Sequence, residues 1–357
     1  FDALRIVLNS LTHIRSSQEV QIRLDRSLKY NNRVAHASNI LSKRWNCVDL
    51  NMSRILLHIG MPRTASTLFQ KEVFPHLEGF DYWGVDKTQY STAFQKLLYR
   101  DDSLYNAFEI QEKLNFPITK NLMVSNELFV GQSLFLNSTN RSRNAHRLKQ
   151  LFPNAEIVLF LRNQPDLLES LYSIGIYAGE TKKPDTFIRF DDDQSDPGDP
   201  LYSTFAAMEQ TEQYYFTSIY RLYRSKFERV HVFLYEDFKS DPEKFIEKFC
   251  KELRVKPKIE VNFGKRENSS LSSRQLEYLR KTNSLREIFE SSGAGKRLFR
   301  KNIRTIEHFL GGKEKFHFSP ALRKKIKDHF RKDNSKLSEI VPELENSECF
   351  EKYYLTD

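Results

Sequence analysis

The sequence predicts an α/β fold with a mostly parallel central sheet flanked by helices. The prediction rests on apolar, partly β-branched runs that have the length of strands and are separated by stretches with helical spacing. Four such runs are recognised: 55–59, 121–125, 156–161 and 230–235. A hydrophobic fraction of 39%, with 28 Phe and 16 Tyr, is enough to fill a large core. We expect one main domain at 53–357, preceded by a helical N-terminal extension at 1–52.

The N-terminal extension has the weakest pattern. Leu4, Leu8, Leu11 and Ile14 recur at helical spacing, but no charged stretch followed by an apolar run indicates a signal peptide. The chain begins with Phe rather than Met, which leaves open that it is part of a longer protein. Packing on the main domain and contact with a partner are both open roles for this segment.

The first predicted strand runs into a short turn that is rich in hydroxyl groups. Gly60 and Pro62 end the strand, and Leu68 and Phe69 begin a stretch with helical spacing. Backbone N–H groups at the start of a helix lack partners within it, and the helix dipole adds partial positive charge, so phosphate or sulfate binds there. We therefore predict an anion-binding loop that consists of Arg63, Thr64, Ala65, Ser66, Thr67 and Leu68.

This loop differs from the phosphate-binding loop of kinases and NTPases. That motif reads Gly-x-x-x-x-Gly-Lys-[Ser/Thr], and its last residues hold the terminal phosphates and magnesium. Here Ala65 stands five residues after Gly60, and no Lys precedes Ser66. An ATP-dependent phosphotransferase is therefore disfavoured. It stays open as an alternative, as does a nucleotide-binding module without activity.

A carboxylate follows the second predicted strand, 121–125. Because the carboxyl ends of parallel strands line the ligand crevice, Glu127 should lie near the anion-binding loop. Desolvation there would make it a better proton acceptor, so Glu127 is the candidate general base. The alternative role is to order the loop, and His146 and Glu72 are weaker candidates for the base.

A strand-end guanidinium and a helix hydroxyl form the next predicted site. The strand 156–161 ends at Arg162, a helix opens near Pro165, and Ser170 lies in its second turn. Arg can bind two oxygens of one group while a hydroxyl donates to a third. This pair therefore suits a phosphate monoester.

Two helices with apolar faces are predicted in the C-terminal third. Asp241 and Pro242 follow the fourth strand as a cap and first-turn proline, and Ser319 and Pro320 open the last helix. Their apolar faces carry Phe245, Ile246, Phe249 and Leu253 in the first helix and Leu322, Ile326, Phe330 and Leu337 in the second.

The two anion-binding motifs resemble, in order and spacing, those of sulfotransferases that use 3′-phosphoadenosine 5′-phosphosulfate (PAPS). The 5′-phosphosulfate loop of that family commonly reads Pro-Lys-[Ser/Thr]-Gly-[Ser/Thr]-Thr-x-Leu. This chain has Arg63 in place of Lys and Ala65 in place of Gly. The family's 3′-phosphate motif is Arg-x-x-Pro with Ser eight residues after the Arg, and Arg162, Pro165 and Ser170 match it without adjustment.

Two shorter matches extend the resemblance to roughly residues 53–340. The stretch 230–238 looks like the family's strand ending in Tyr-Glu-Asp-[Leu/Phe], and 265–272 is similar to the Asn-x-Ser-Leu-Ser segment of bacterial-type members. The resemblance implies a P-loop-NTPase-like sulfotransferase fold. It also implies transfer of a sulfuryl group from PAPS to an acceptor hydroxyl, or less readily an amine, by in-line attack at sulfur.

The resemblance implies roles for individual residues. Arg63 would stabilise the leaving group electrostatically, and Glu127 would take the acceptor proton. The loop residues from Arg63 to Leu68 would hold the 5′ side of PAPS, and Arg162 with Ser170 would hold the 3′-phosphate. Tyr235 would contact the adenine region. The residues implied to close over the nucleotide are Arg266, Asn268 and Ser269.

Composition narrows the classes of molecule that the chain is expected to bind and the compartment in which it is expected to work. A net charge of +9 suits an anionic cofactor, and no zinc-finger spacing or RNA-binding motif favours nucleic acid. Three widely spaced cysteines suggest neither disulfides nor a metal site, so a reducing compartment, the cytoplasm, is expected. No apolar run approaches the ~20 residues of a transmembrane helix. The expected acceptor is a glycan, a glycolipid or a small metabolite.

Overall fold

The computed structural model describes most of the chain from residue 53 onward. The described residues are 53–85, 87–114, 120–131, 140–188, 190, 211–258, 271–284, 314–345 and 347–356. The N-terminal extension and three predicted nucleotide contacts, Arg266, Asn268 and Ser269, lie outside them. Their roles stay predictions.

Five parallel strands form the central sheet in the order β2-β3-β1-β4-β5. The strands are β1 Ile55–Gly60, β2 Phe80–Gly84, β3 Asn121–Ser125, β4 Glu156–Leu161 and β5 Val230–Leu234. The predicted α/β class and parallel sheet are confirmed. The sequence prediction missed β2, because this edge strand is short and its first residues, Phe80 and Asp81, are only half-buried.

The helices connect and flank the strands. They are α1 Ser66–Leu68, α2 Thr88–Tyr99, α3 Ala107–Leu114, α4 Arg141–Leu151, α5 Gln164–Ala178, α6 Pro184–Phe187, α7 Phe216–Arg224, α8 Tyr235–Ser240, α9 Pro242–Leu253, α10 Ser273–Asn283, α11 Pro320–Ile340, α12 Pro342–Glu345 and α13 Glu348–Phe350. A 3₁₀ turn spans Thr211–Tyr214, and a π-helical turn spans Glu351–Leu355. No helix in the described part of the chain has the length and apolar character to cross a membrane.

The helix predicted after the anion-binding loop is not a regular α-helix. The single turn α1 continues as a π-helical turn, Phe69–Val73, and then as a 3₁₀ turn, Phe74–His76. Pro75 has no N–H to donate to an α-helical bond. The wider turn also brings Phe69 and Phe74, five residues apart, to the same buried face, where their ring centroids lie 5.5 Å apart.

An aromatic core on one face of the sheet anchors this segment. Phe160 of β4 packs edge-on against Phe69 at 4.8 Å and against Phe233 of β5 at 5.7 Å. Helix α9 completes the core with Phe249, 5.0 Å from Phe233. The predicted apolar face of α9 is confirmed, since all four of its members are buried. The anion-binding loop therefore leads from a strand into an irregular helical segment whose Phe69 and Phe74 are buried in this core.

The predicted starts of three long helices are confirmed. Asn163 caps α5 by accepting a hydrogen bond from the backbone N–H of Asp166 at 3.0 Å. Asp241 caps α9 in the same way at 3.0 Å, and Ser319 caps α11 at 3.2 Å. Each cap satisfies an N–H group that has no partner within the helix. Proline directly follows Asp241 and Ser319, and it lies two residues after Asn163.

A buried histidine lies beneath the anion-binding loop. His58 of β1 is fully buried between the rings of Phe74 and Phe160, and its Nδ1 lies 2.8 Å from Ser125 Oγ of β3. Gln70 donates to the same hydroxyl at 3.0 Å. Burial lowers the pKa of His58 to about 3, so the folded protein holds this ring neutral at pH 7.

We predict that His58 makes the fold less stable as the solution becomes acidic. Below pH 6.5 the unfolded chain protonates this histidine, whereas the folded protein does so only near pH 3. The free energy of unfolding should fall between these values by about 1.4 kcal/mol per pH unit. Urea unfolding at pH 7.5, 6 and 5 should show that His58→Gln removes this slope.

His231 provides a matched control, because its pKa is shifted upward rather than downward. Burial opposes its charge, but hydrogen bonds with Glu156 and Glu252 raise the pKa of His231 to about 9. Its contribution is present below pH 6.5 and is lost as the pH rises through 9. His231→Gln should change the slope above pH 6.5 instead. An identical pH profile for the wild type and His58→Gln would contradict the prediction.

Candidate functional site

Four segments meet at the carboxyl edge of the sheet. They follow β1, β3, β4 and β5, and the strand order reverses beside β1 because the chain crosses from β3 to β4 on its other side. Ligand crevices of open parallel sheets form at such a reversal. The predicted site residues of the described segments all belong to these four segments or to the helices that follow them.

The segment after β1 begins between two neighbours, the segment after β3 on one side and β4 on the other. Gly60 has a φ angle of 115°, and a Cβ atom there would lie 2.6 Å from the carbonyl oxygen of Glu127. On the other side, Met61 donates from its backbone N–H to the carbonyl of Phe160 at 2.8 Å. Only glycine fits at position 60, and the start of the anion-binding loop is fixed between β3 and β4.

The hydroxyl groups of the loop have different roles. Thr64 is buried and donates to the carbonyl of Met61 at 2.6 Å, so its side chain stabilises the turn itself. Ser66 is also buried and donates to Glu127 Oε2 at 2.5 Å. Thr67 is exposed, and Leu68 is half-buried. The loop and the candidate base are thus joined by a direct hydrogen bond.

Two residues of the loop adopt left-handed backbone conformations. Arg63 has a φ angle of 68° and Ala65 one of 64°. Such angles are unfavourable for residues with a Cβ atom. This explains why glycine is usual at the position of Ala65 in the sulfotransferase loop that this sequence resembles. Ala65 tolerates the conformation, although it adds strain to the loop.

The two predicted anion-binding motifs contact each other. Arg63 Nε donates to Ser170 Oγ of α5 at 2.7 Å, and Arg162 Nη1 donates to the carbonyl of Arg63 at 3.0 Å. The guanidinium of Arg162 lies over the ring of Tyr235, 4.7 Å from its centre. The loop after β1 and the junctions that follow β4 and β5 therefore form one continuous site.

The two guanidinium groups of the site lie close enough to influence each other's charge. Burial and the nearby charge of Arg162 lower the pKa of Arg63, while Glu127 and Tyr235 act in the opposite direction. Within the described part of the chain, neither guanidinium forms a direct ion pair, although Asp166 interacts with the charge of Arg162 at longer range, and the buried Nε of Arg162 has no hydrogen-bond partner. A polyanion would neutralise both charges and supply the missing acceptor.

Comparison with known proteins assigns the family. The sequence model of the sulfotransferase domain matches residues 56–340, most of the chain. This chain is a member of the sulfotransferase family. No curated protein matches it significantly.

Two solved structures similar to this chain are described as sulfotransferases. One is a sulfotransferase from Alicyclobacillus acidocaldarius, with 12% identity, a TM-score of 0.48, and coverage of 82% of this chain and 97% of that chain. Another is the sulfotransferase domain from the curacin biosynthetic pathway, with 15% identity, a TM-score of 0.30, and coverage of 57% and 75% respectively.

Membership of the family narrows the classes left open by the sequence motifs. The chain is a sulfotransferase, which disfavours the ATP-dependent phosphotransferase further. Arg63 and Ala65, which differ from the residues common in the family, lie in a loop with left-handed backbone angles, and Arg63 donates to Ser170.

Sequence reasoning missed the residues that hold α5. Arg323 of α11 forms ion pairs with Asp166, at 2.8 Å, and with buried Glu169. Glu169 also accepts from the backbone N–H of Phe318 at 2.9 Å. These contacts fix the first two turns of the helix that carries Ser170. Two acidic residues three positions apart on one helix face were the available signal.

We predict that Ala65→Gly stabilises this sulfotransferase. Glycine adopts the left-handed conformation without strain, although it also loses more entropy on folding, so a net gain of up to about 1 kcal/mol is expected. Sulfuryl transfer should be preserved or improved. Denaturant unfolding and an activity assay measure the two effects.

The control for this substitution is Ala178→Gly at the exposed end of α5, where the backbone is helical. It should lower the free energy of unfolding by about 0.5–1 kcal/mol. A large loss of activity in Ala65→Gly would contradict the predicted role of the loop in anion binding.

Proposed function

We propose that this sulfotransferase transfers a sulfuryl group from PAPS to a hydroxyl of a glycan, a glycolipid or a small metabolite. The observation that carries the proposal is the pair of neighbouring guanidinium groups: Arg63 donates to Ser170, Arg162 donates to the carbonyl of Arg63, and neither forms a direct ion pair with a carboxylate among the described residues. PAPS carries anionic groups at both its 3′ and 5′ positions. Two separate cations in one crevice suit such a ligand.

The residues present fit each end of PAPS. The guanidinium of Arg162, whose buried Nε has no hydrogen-bond partner, and the hydroxyl of Ser170 would donate to the 3′-phosphate. The loop of Arg63, Ala65, Ser66 and Thr67 provides the charge and the N–H groups for the phosphosulfate. Tyr235, whose ring lies beneath the guanidinium of Arg162, would contact the nucleoside.

The proposed reaction is a single displacement at sulfur. The acceptor oxygen forms a bond to sulfur while the bond between sulfur and the bridging oxygen breaks, and the electron pair stays on that oxygen. Adenosine 3′,5′-bisphosphate leaves with additional negative charge. Arg63 would stabilise that charge, which develops in the transition state, and arginine stays protonated throughout.

Glu127 is the proposed acceptor of the hydroxyl proton. Its Oε2 accepts from Ser66, whereas its Oε1 accepts no hydrogen bond within the described residues. The carboxylate is half-buried beside the loop that would hold the sulfuryl group. One oxygen would therefore orient the side chain while the other receives the proton.

The choice of acceptor class rests on the bacterial-type pattern of the sequence motifs. That pattern favours a glycan, a glycolipid or a metabolite hydroxyl over a protein tyrosine. The structural features above support the donor side of the reaction.

We predict that the chain binds adenosine 3′,5′-bisphosphate in preference to adenosine 5′-monophosphate and magnesium-ATP in calorimetric titrations. Arg162→Ala should weaken bisphosphate binding roughly 100-fold, because two charge-assisted hydrogen bonds are lost. Arg224→Ala is the control, since Arg224 ends α7 near the opposite edge of the sheet. Preference for magnesium-ATP, or equal binding with and without the 3′-phosphate, would overturn the proposal.

We further predict that Glu127→Gln lowers kcat by roughly 10²- to 10⁴-fold and leaves bisphosphate affinity nearly unchanged. Radiolabelled PAPS and a panel of polysaccharides, glycolipids and phenols provide the assay. Glutamine can still accept from Ser66, so the loop contact is retained in this variant.

Ser66→Ala separates the two roles of Glu127. It removes the orienting contact but leaves the carboxylate, so its loss of kcat should be smaller than that of Glu127→Gln. Full activity in Glu127→Gln would instead assign the carboxylate to ordering the loop.

A further inference from the structure

A ring of buried polar side chains surrounds the junction at which Arg162 lies. Its members come from the start of α5, from α8, from α11 and from the C-terminal π-helical turn. They are Asn163, Gln164, Glu236, Asn334 and Tyr354, each at most 5% exposed. Tyr354 and the turn that contains it lie beyond the region that matches the sulfotransferase domain, 56–340.

Glu236 fixes the backbone next to Arg162. Its Oε1 accepts from the backbone N–H of Asn163 at 3.0 Å and from Asn163 Nδ2 at 2.7 Å. Glu236 also directly follows Tyr235, whose ring supports the guanidinium of Arg162. The Glu236 carboxylate therefore fixes the backbone beside Arg162. The same short helix carries Tyr235, whose aromatic ring lies beneath the guanidinium of Arg162.

Tyr354 completes the coordination of this carboxylate. Its hydroxyl donates to Glu236 Oε2 at 2.8 Å, and its ring stacks on Phe350 with centroids 4.6 Å apart. Burial raises the pKa of Glu236. Because the carboxylate has no ion-pair partner among the described residues, these hydrogen bonds are what hold its position.

The ring is closed by a pair of amides. Gln164 donates to Asn334 at 2.8 Å, Asn334 donates back at 3.1 Å, and Asn334 also donates to the carbonyl of Tyr354 at 3.2 Å. Both ends of the polar ring thus reach adjacent residues, Asn163 and Gln164. The polar ring therefore contacts the junction between β4 and α5 at the two residues that follow Arg162.

We propose that Tyr354, acting through Glu236 and Asn163, is a positioning residue for Arg162 and therefore for the 3′-phosphate of the donor. The inference rests on the proposed function. It assigns the C-terminal turn a part in selecting a nucleotide that carries a 3′-phosphate. Removal of the Tyr354 hydroxyl leaves a buried carboxylate oxygen without its donor, so the junction should lose its fixed geometry.

The test compares two ligands by calorimetry, adenosine 3′,5′-bisphosphate and adenosine 5′-monophosphate. Tyr354→Phe should lower the ratio of the two affinities roughly tenfold, with little change for the monophosphate. Tyr353→Phe is the matched control and should leave the ratio unchanged. An unfolded fraction lowers the stoichiometry of both titrations but not this ratio. Glu236→Gln, which keeps the side-chain volume, should shift it in the same direction and replaces Tyr354→Phe if that variant does not fold.

A double-mutant cycle tests whether Tyr354 acts through Arg162. If Tyr354 acts through Arg162, Tyr354→Phe should have no further effect on the ratio in the Arg162→Ala variant. Equal weakening of both ligands, or an undiminished effect in that background, would overturn the inference. A wild-type chain that does not bind the bisphosphate would overturn the proposed function and this inference with it. Binding by the wild type with an unchanged ratio in Tyr354→Phe would overturn the inference alone.

Discussion

Two positive charges held together at the end of a parallel sheet are the constraint on which the site depends. Arg63 and Arg162 repel each other, and burial adds to the free energy needed to keep Arg63 charged. The surrounding contacts must therefore hold them in place before a ligand arrives. Ser170, the loop carbonyl and the ring of Tyr235 contact the guanidinium groups directly, and the aromatic core fixes the segments from which they extend.

The fold supports this arrangement from both faces of the sheet. On one face, Phe69 and Phe160 lock the segment after the anion-binding loop against β4. On the other, the ion pairs of Arg323 fix α5, which carries Ser170. The loop itself contains two left-handed residues, so its shape depends on these neighbours rather than on intrinsic backbone preference.

Local sequence patterns predicted the parts of this fold that are locally determined. Buried strands are continuous apolar runs and helix starts carry caps, so β1, β3, β4, β5 and the starts of α5, α9 and α11 were found. The edge strand β2 was missed because it lacks such a run. Family spacing brought Arg63, Arg162 and Ser170 into one prediction. It did not reveal that Arg63 contacts Ser170, since that bond depends on how two strands lie side by side.

The supporting contacts could not be predicted for the same reason. Glu236 and Tyr354 are separated by 118 positions, and Gln164 and Asn334 by 170. Neither pair leaves a periodic or spaced signal in the sequence. Only the packed arrangement shows that a C-terminal tyrosine belongs to the same polar ring as the cap of α5.

The bond from Arg162 to the carbonyl of Arg63 has a consequence for inhibitors. It joins the two halves of the crevice, so a compound in one half that displaces this bond changes the geometry offered to a compound in the other. Thermodynamic reciprocity requires each to alter the affinity of the other by the same factor. The binding free energies of fragments selected separately for the two halves would therefore not add when the fragments are linked.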